Sequence, residues 1–241
     1  MMEIVYISLL TFGAVLIGTI TGFGTSTLMI PILALFIPIT HTIILVAIIH
    51  LFSGIWKVSL FITGIDIRFI LLFGIPGIIT SYIGALLLTH THQIFLVRLL
   101  GIFLCSYAIF MLLPKKIKFP TNTTMALTGG TLSGFFVGVF GIGGAIRSAF
   151  LTVFNLPKEA YIATMGAIGL VYDITRLITY FYNQISLPTS LWYGLVAFIP
   201  ISFIAAFSAK YIVSRVSSYQ FQRIITVFLF LIGLKFILFP Y

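Results

Sequence analysis

Apolar residues in this chain fall in long unbroken runs, each closed by a short polar, glycine or proline cluster, rather than at helical or strand spacing. Residues 4–20 make the first run, and residues 28–37 a shorter one after a glycine-rich break at 21–27. Pro38 follows, with Thr40 as a candidate cap for a span over 41–62. Gly64-Ile65-Asp66 reads as a tight turn with Asp66 capping the next span, 69–89, where Pro76-Gly77 loosens the helix and Gly84-Ala85 allows close packing. His90-Thr91-His92-Gln93 links to a span at 94–113, and Pro114 to Pro120 forms the most polar loop. The order then recurs. An apolar run at 124–139, a break at 140–147 and a short piece to Phe154 precede Asn155 and Pro157, read as a cap and a first-turn proline, with Glu159 as a further cap. Spans at 158–182, 189–213 and 220–239 complete the chain, with a turn from Asn183 to Pro188. Runs of about 20 apolar residues match the hydrocarbon thickness of a bilayer. The fold class is therefore an all-α polytopic membrane protein, one transmembrane transporter domain over 1–241, with internal repeats near 1–113 and 121–241.

The two breaks define the repeat. Aligning Phe23-Gly24 with Phe140-Gly141 gives an offset of 117 residues, close to half the chain, and Gln93 to Arg98 parallels Gln220 to Arg223 before the last span of each half. If both broken segments cross fully, there are eight crossings, and the basic residues divide six against five. If each is a re-entrant hairpin followed by three spans, the halves are inverted. Lys57, Arg68, Lys115, Lys116, Lys118, Lys158, Lys210, Arg215 and Arg223 then share one side against Arg98 and Lys235, nine against two. Cytoplasmic loops are enriched in lysine and arginine, so the second arrangement is expected, with both termini outside and the hairpin tips facing each other near the midplane.

Composition narrows the class. The chain is 61% hydrophobic and 7% charged, against roughly a quarter charged in soluble domains. The net charge of +9 reads as loop lysines and arginines setting topology rather than as a nucleic-acid surface. The single cysteine, Cys105, excludes an internal disulfide or CxxC pair and reads as packing. The first run lacks a basic flank and continues into the first break, so it reads as a membrane segment rather than a cleaved leader.

Candidate chemistry concentrates at the breaks. Gly141, Gly143 and Gly144 can free backbone amides at a helix start, and Arg147 adds a fork of donors, a combination suited to an anion. The structural alternative is close helix crossing at the glycines, with Arg147 paired to an acidic residue. Gly22, Gly24, Thr25, Ser26 and Thr27 offer hydroxyls and no charge, or make a simple kink. Asp173 and Arg176 stand i,i+3 and can neutralise each other, or Asp173 can meet Arg147 or take part in proton coupling. His50, near the middle of its span, is a candidate proton relay or a satisfied core histidine. His90 and His92 read as interfacial, so no metal site is expected, and no cofactor. No HExxH, GxSxG or P-loop pattern occurs, and four acidic residues in all make an enzyme improbable.

Gly22-Phe23-Gly24-Thr25-Ser26-Thr27-Leu28-Met29-Ile30-Pro31, its counterpart Gly138 to Arg147, the Gly64-Ile65-Asp66 turn, Pro76-Gly77 and Gly84-Ala85 together resemble the sulfite exporter TauE/SafE family over nearly the whole chain. The resemblance implies a transporter of small sulfur-containing anions or organic acids, such as sulfite, sulfoacetate or other sulfonates, in a prokaryotic plasma membrane. The chain departs from that pattern with Thr25-Ser26-Thr27 in place of a triple glycine and Arg147-Ser148 where a hydrophobic residue and proline are commoner. Related thiosulfate carriers depend on pore cysteines, whereas Cys105 lies away from both breaks. The expected protein is a multi-pass secondary transporter of a small anion, with the lipid bilayer as its other partner and a proton or sodium ion as possible coupling ion. An anion channel and a non-transporting membrane scaffold are the alternatives.

Overall fold

The computed structural model describes residues 2–21, 24–112, 120–212 and 218–240. Gly22 and Phe23 of the first break, and Lys115, Lys116, Lys118 and Arg215 of the topology count, lie outside the described residues. The elements are α1 (Met2–Thr21), α2 (Thr25–Leu33), α3 (Ile39–Leu60), a 3-10 turn (Ile62–Gly64), α4 (Ile67–His90) and α5 (Gln93–Leu112). Then come α6 (Thr123–Phe140), α7 (Gly144–Leu151), a 3-10 turn (Thr152–Phe154), α8 (Lys158–Tyr182), α9 (Thr189–Ile212) and α10 (Ser218–Leu238). Among the described residues there is no strand. Among the described residues, seven helices, α1, α3, α4, α5, α6, α8 and α9, are long and apolar enough to cross a membrane. Large apolar side chains such as Ile75, Ile79, Tyr193 and Val196 stand on the outer surface. In water such a surface would aggregate; in a bilayer it is solvated. The chain is a multi-pass membrane protein.

Both breaks are narrower than the sequence suggests. Thr25, Ser26 and Thr27 already belong to α2, and Gly144 to Arg147 belong to α7. Three caps also differ. Pro38, not Thr40, precedes α3, and Pro157, not Asn155 or Glu159, precedes α8. A proline with extended ψ ends a connection while having no N–H to satisfy, which suits a helix start entering hydrocarbon. Asn155 instead closes the preceding turn with φ 51°, and Glu159 lies in the first turn of α8. Asp66 does cap α4, its carboxylate accepting from the amides of Arg68 (3.0 Å) and Phe69 (3.4 Å). The sequence reading missed Asn122, whose side chain accepts from the Met125 amide at 2.9 Å to start α6.

Helices pair as α4 with α6, α3 with α8, α1 with α9 and α5 with α10. Lipid tails are as apolar as leucine, so close backbone approach supplies the cohesion. A Cβ on Gly101 would lie 2.7 Å from the Gly233 carbonyl oxygen, and one on Gly233 would lie 2.9 Å from that of Gly101. Cys105 packs at this crossing of α5 and α10. Pro76 interrupts the hydrogen-bond ladder of α4, and side chains serve carbonyls around the interruption: the Tyr172 hydroxyl donates to the Phe73 carbonyl at 2.7 Å. The Thr80 hydroxyl reaches the Thr131 carbonyl of α6 at 2.8 Å.

The α4–α6 contact sets a stability test. A Cβ on Gly130 would sit 2.5 Å from the Phe73 carbonyl oxygen and 2.7 Å from its Cα, atoms of another helix's backbone that cannot swing aside. Gly130→Val is expected to cost about 1–3 kcal/mol, the usual range for overpacking. Gly74→Ala in α4 meets nothing within 4 Å and should be neutral or mildly stabilising. Melting temperatures of the two detergent-solubilised variants check both expectations.

Candidate functional site

The site lies where the two breaks meet two long helices. Gly24, with φ 82°, turns the chain from the end of α1 into α2, and Gly141, with φ 72°, closes α6 in the left-handed conformation that glycine adopts without strain. The tips touch: a Cβ on Gly24 would lie 3.2 Å from the Cα of Gly144, the first residue of α7. Non-helical backbone at membrane depth is tolerated where protein buries it, and each break here helps to bury the other.

The ionisable groups come from α3, α7 and α8. On α3, His50, Gly54 and Lys57 stand at i, i+4 and i+7 and so share one face. On α8, Ile162, Met165, Gly166, Gly169, Asp173 and Arg176 share another by the same spacing. Glycines bring these faces together: a Cβ on Gly166 would meet the Lys57 Cβ at 3.1 Å, and one on Gly169 would meet both Arg147 Nη2 (3.1 Å) and His50 Cε1 (3.3 Å).

Asp173 is 1% exposed and its charge is fully engaged. One carboxylate oxygen accepts from Arg176 Nε at 2.9 Å, with Arg176 Nη2 at 2.7 Å, and the other lies 2.5 Å from His50 Nδ1. Asp173 therefore does not serve Arg147. Arg147 is 2% exposed and has no carboxylate partner among the described residues. Its Nε faces the Met165 sulfur at 3.3 Å, its guanidinium carbon lies 5.6 Å from the Tyr172 ring centroid, and its Nη1 has no hydrogen-bond partner. The ring contact is a weak, partial compensation. A buried guanidinium in this state is costly, and an anion would relieve it.

Arg147 opens on a cavity of ≈ 20 Å³ lined by Gly18, Thr19, Gly24, His50, Gly54, Lys57, Tyr161 and the α8 face at Ile162, Met165 and Gly166. No acidic side chain lines it. Of the residues expected from sequence, Arg147, His50 and Gly24 border the cavity, and Gly144 touches Gly24 beside it. Asp173 and Arg176 pair behind His50. Gly141 is elsewhere: its amide donates to the Val137 carbonyl at 2.8 Å, and a Cβ on it would meet Arg176 Nη1 and the Ile30 side chain, each at 2.5 Å. It makes room for Arg176 and has no amide left to offer. Gly143 packs on Ser133 and Val137. Thr25, Ser26 and Thr27 are buried in α2 outside the cavity lining, with the Thr25 and Ser53 hydroxyls 3.2 Å apart.

Sequence reasoning missed Lys57, Tyr161 and Tyr172. Lys57 is 7% exposed in the last turn of α3, so it does not count as a loop charge, and the topology ratio becomes eight against two. Its signal was available in the i+7 spacing from His50 on an otherwise apolar helix. Tyr161 donates to Ser148 Oγ at 2.6 Å, and Tyr172 underlies Arg147.

The engagement of Asp173 predicts unequal costs of substitution. Asp173→Asn leaves Arg176 and His50 facing a neutral group and should cost about 3–5 kcal/mol, as breaking a buried ion pair does. Arg147→Ala removes a charge with no counter-ion and should cost clearly less. Thermal unfolding of the two variants in one detergent measures the difference.

Comparison with known families matches residues 7–236 to a model described as Sulfite exporter TauE/SafE. No curated protein matches the chain.

Proposed function

The chain belongs to the sulfite exporter TauE/SafE family, and from that premise we propose a secondary transporter that moves a small anion across a prokaryotic plasma membrane. The substrate is a sulfur-containing anion or organic acid, sulfite or a sulfonate being the leading candidates. The observation that supports this most is Arg147, whose buried Nη1 has no hydrogen-bond partner and whose guanidinium has no carboxylate partner among the described residues, beside a cavity without acidic lining. Arg147 is the main anchor, and backbone at Gly24 and Gly144 completes the approach from the two breaks.

A carrier fits better than a channel. A volume of ≈ 20 Å³ suits a water or two, so a polyatomic anion enters only when the walls part. The reading includes two inverted repeats, each a re-entrant hairpin plus three spans. The like order of helices in α1–α5 and α6–α10 and the reciprocal packing of α1 on α9 and α4 on α6 support the repeat, while α1 and α6 are each long enough to cross fully. His50 is the candidate proton-coupling group, since Asp173 holds its Nδ1 side while the ring borders the cavity. A non-transporting scaffold would have no use for the unpaired guanidinium.

Arg147→Ala should weaken anion binding about 10- to 100-fold, the equivalent of one or two charge-assisted hydrogen bonds, while the protein remains folded. The check is stabilisation of the purified protein by sulfite, sulfonates, sulfate and short carboxylates, with flux into proteoliposomes alongside. Equal affinity in wild type and variant would remove Arg147 from the site.

A further inference from the structure

Lys57 carries an inference that rests on the anion site proposed above and sharpens it. Lysines near helix C-termini ordinarily favour the dipole while holding their ammonium in water. Lys57 occupies such a turn but is 7% exposed, and it lines the same cavity as Arg147. Among the described residues the ion pairs are His50–Asp173 and Arg176–Asp173, and Lys57 takes part in neither. Gly166 gives its stem room, since a Cβ there would come within 3.1 Å of the Lys57 Cβ. Charge bookkeeping at the cluster is then simple. Asp173 neutralises Arg176, and the cavity keeps two cationic side chains and no anionic one.

We infer that Lys57 is a specificity-determining residue that selects doubly charged oxyanions over singly charged ones of the same shape. A monoanion bound at Arg147 leaves the Lys57 charge facing the guanidinium uncompensated. A dianion satisfies both, and in a poorly hydrated cavity each charge counts for more than in water. The two residues also differ in kind: Arg147 offers a planar fork that orients an oxyanion, and Lys57 a compact point charge that responds to total charge more than to geometry.

Sulfate and methanesulfonate test this directly, because both present oxygen atoms on sulfur and differ by one charge. Affinities are measured by titration calorimetry on purified wild type, Lys57→Gln, Lys57→Arg and Arg147→Ala at fixed ionic strength. Wild type should bind sulfate at least about tenfold more tightly than methanesulfonate, one charge-assisted contact being worth roughly that or more. Lys57→Gln should lose that preference chiefly through weaker sulfate binding, Lys57→Arg should keep it, and Arg147→Ala should weaken both anions. Equal wild-type affinities, or a ratio unchanged in Lys57→Gln, would overturn the inference while leaving the anion site standing. Wild type binding neither anion would overturn the inference, and wild type binding none of the anions named above, sulfite included, would overturn the anion site itself. If Lys57→Gln is poorly folded, the ratio in Lys57→Met, which keeps the apolar stem, decides the same question.

Discussion

The site depends on how one carboxylate is shared. Asp173 is the only acid in the buried cluster, and Arg176 on its own helix and His50 across the α3–α8 contact engage both its oxygens. Had Asp173 been free, it could have paired with Arg147, leaving Arg176 without its counter-charge instead. Because it is not, a buried positive field faces a cavity that the protein itself leaves without a counter-charge. In low-dielectric surroundings such a field is expensive to maintain, and an anion from outside the chain would relieve it.

Small residues bring the surrounding helices together. With no hydrophobic drive between helices in lipid, α4 packs on α6 and α5 on α10 by bringing backbone against backbone at Gly130, Gly101 and Gly233. The same device recurs at the site. Gly166 and Gly169 are where α8 admits the Lys57 stem, the Arg147 guanidinium and the His50 ring, and Gly141 is where α6 admits Arg176. Gly141, which looks from sequence like a donor of its amide, is here a maker of space for a charged side chain.

This explains which parts were legible beforehand. Span boundaries read well because hydrocarbon thickness imposes them: the span expected at 158–182 is α8 without change. The breaks and Arg147 stood out because four glycines and a cation inside an apolar run break the local rule. The helix caps read poorly at Thr40 and Asn155, where soluble-protein habits favour a polar side chain but the chain uses prolines. Lys57 was hidden by a different ambiguity. A lysine near a helix end is usually a topology signal, and only its partners across the fold reveal that it points inward. The role of Gly141 was hidden in the same way, since its neighbour Arg176 is 35 residues on in sequence.

The placement of the two free charges bears on transport itself. Lys57 comes from α3 and Arg147 from α7, elements on opposite sides of the chain's midpoint. Without a counter-ion, like charges on the two sides oppose closure of the cavity, whereas an anion between them turns repulsion into a bridge. On the assignment proposed above, a dianion bridges both sides and a monoanion grips only one. A carrier must close around its substrate and not around nothing, and a ligand shifts such an equilibrium only by its differential affinity for the two states. On that assignment, charge complementarity split between α3 and α7 is the source of that differential.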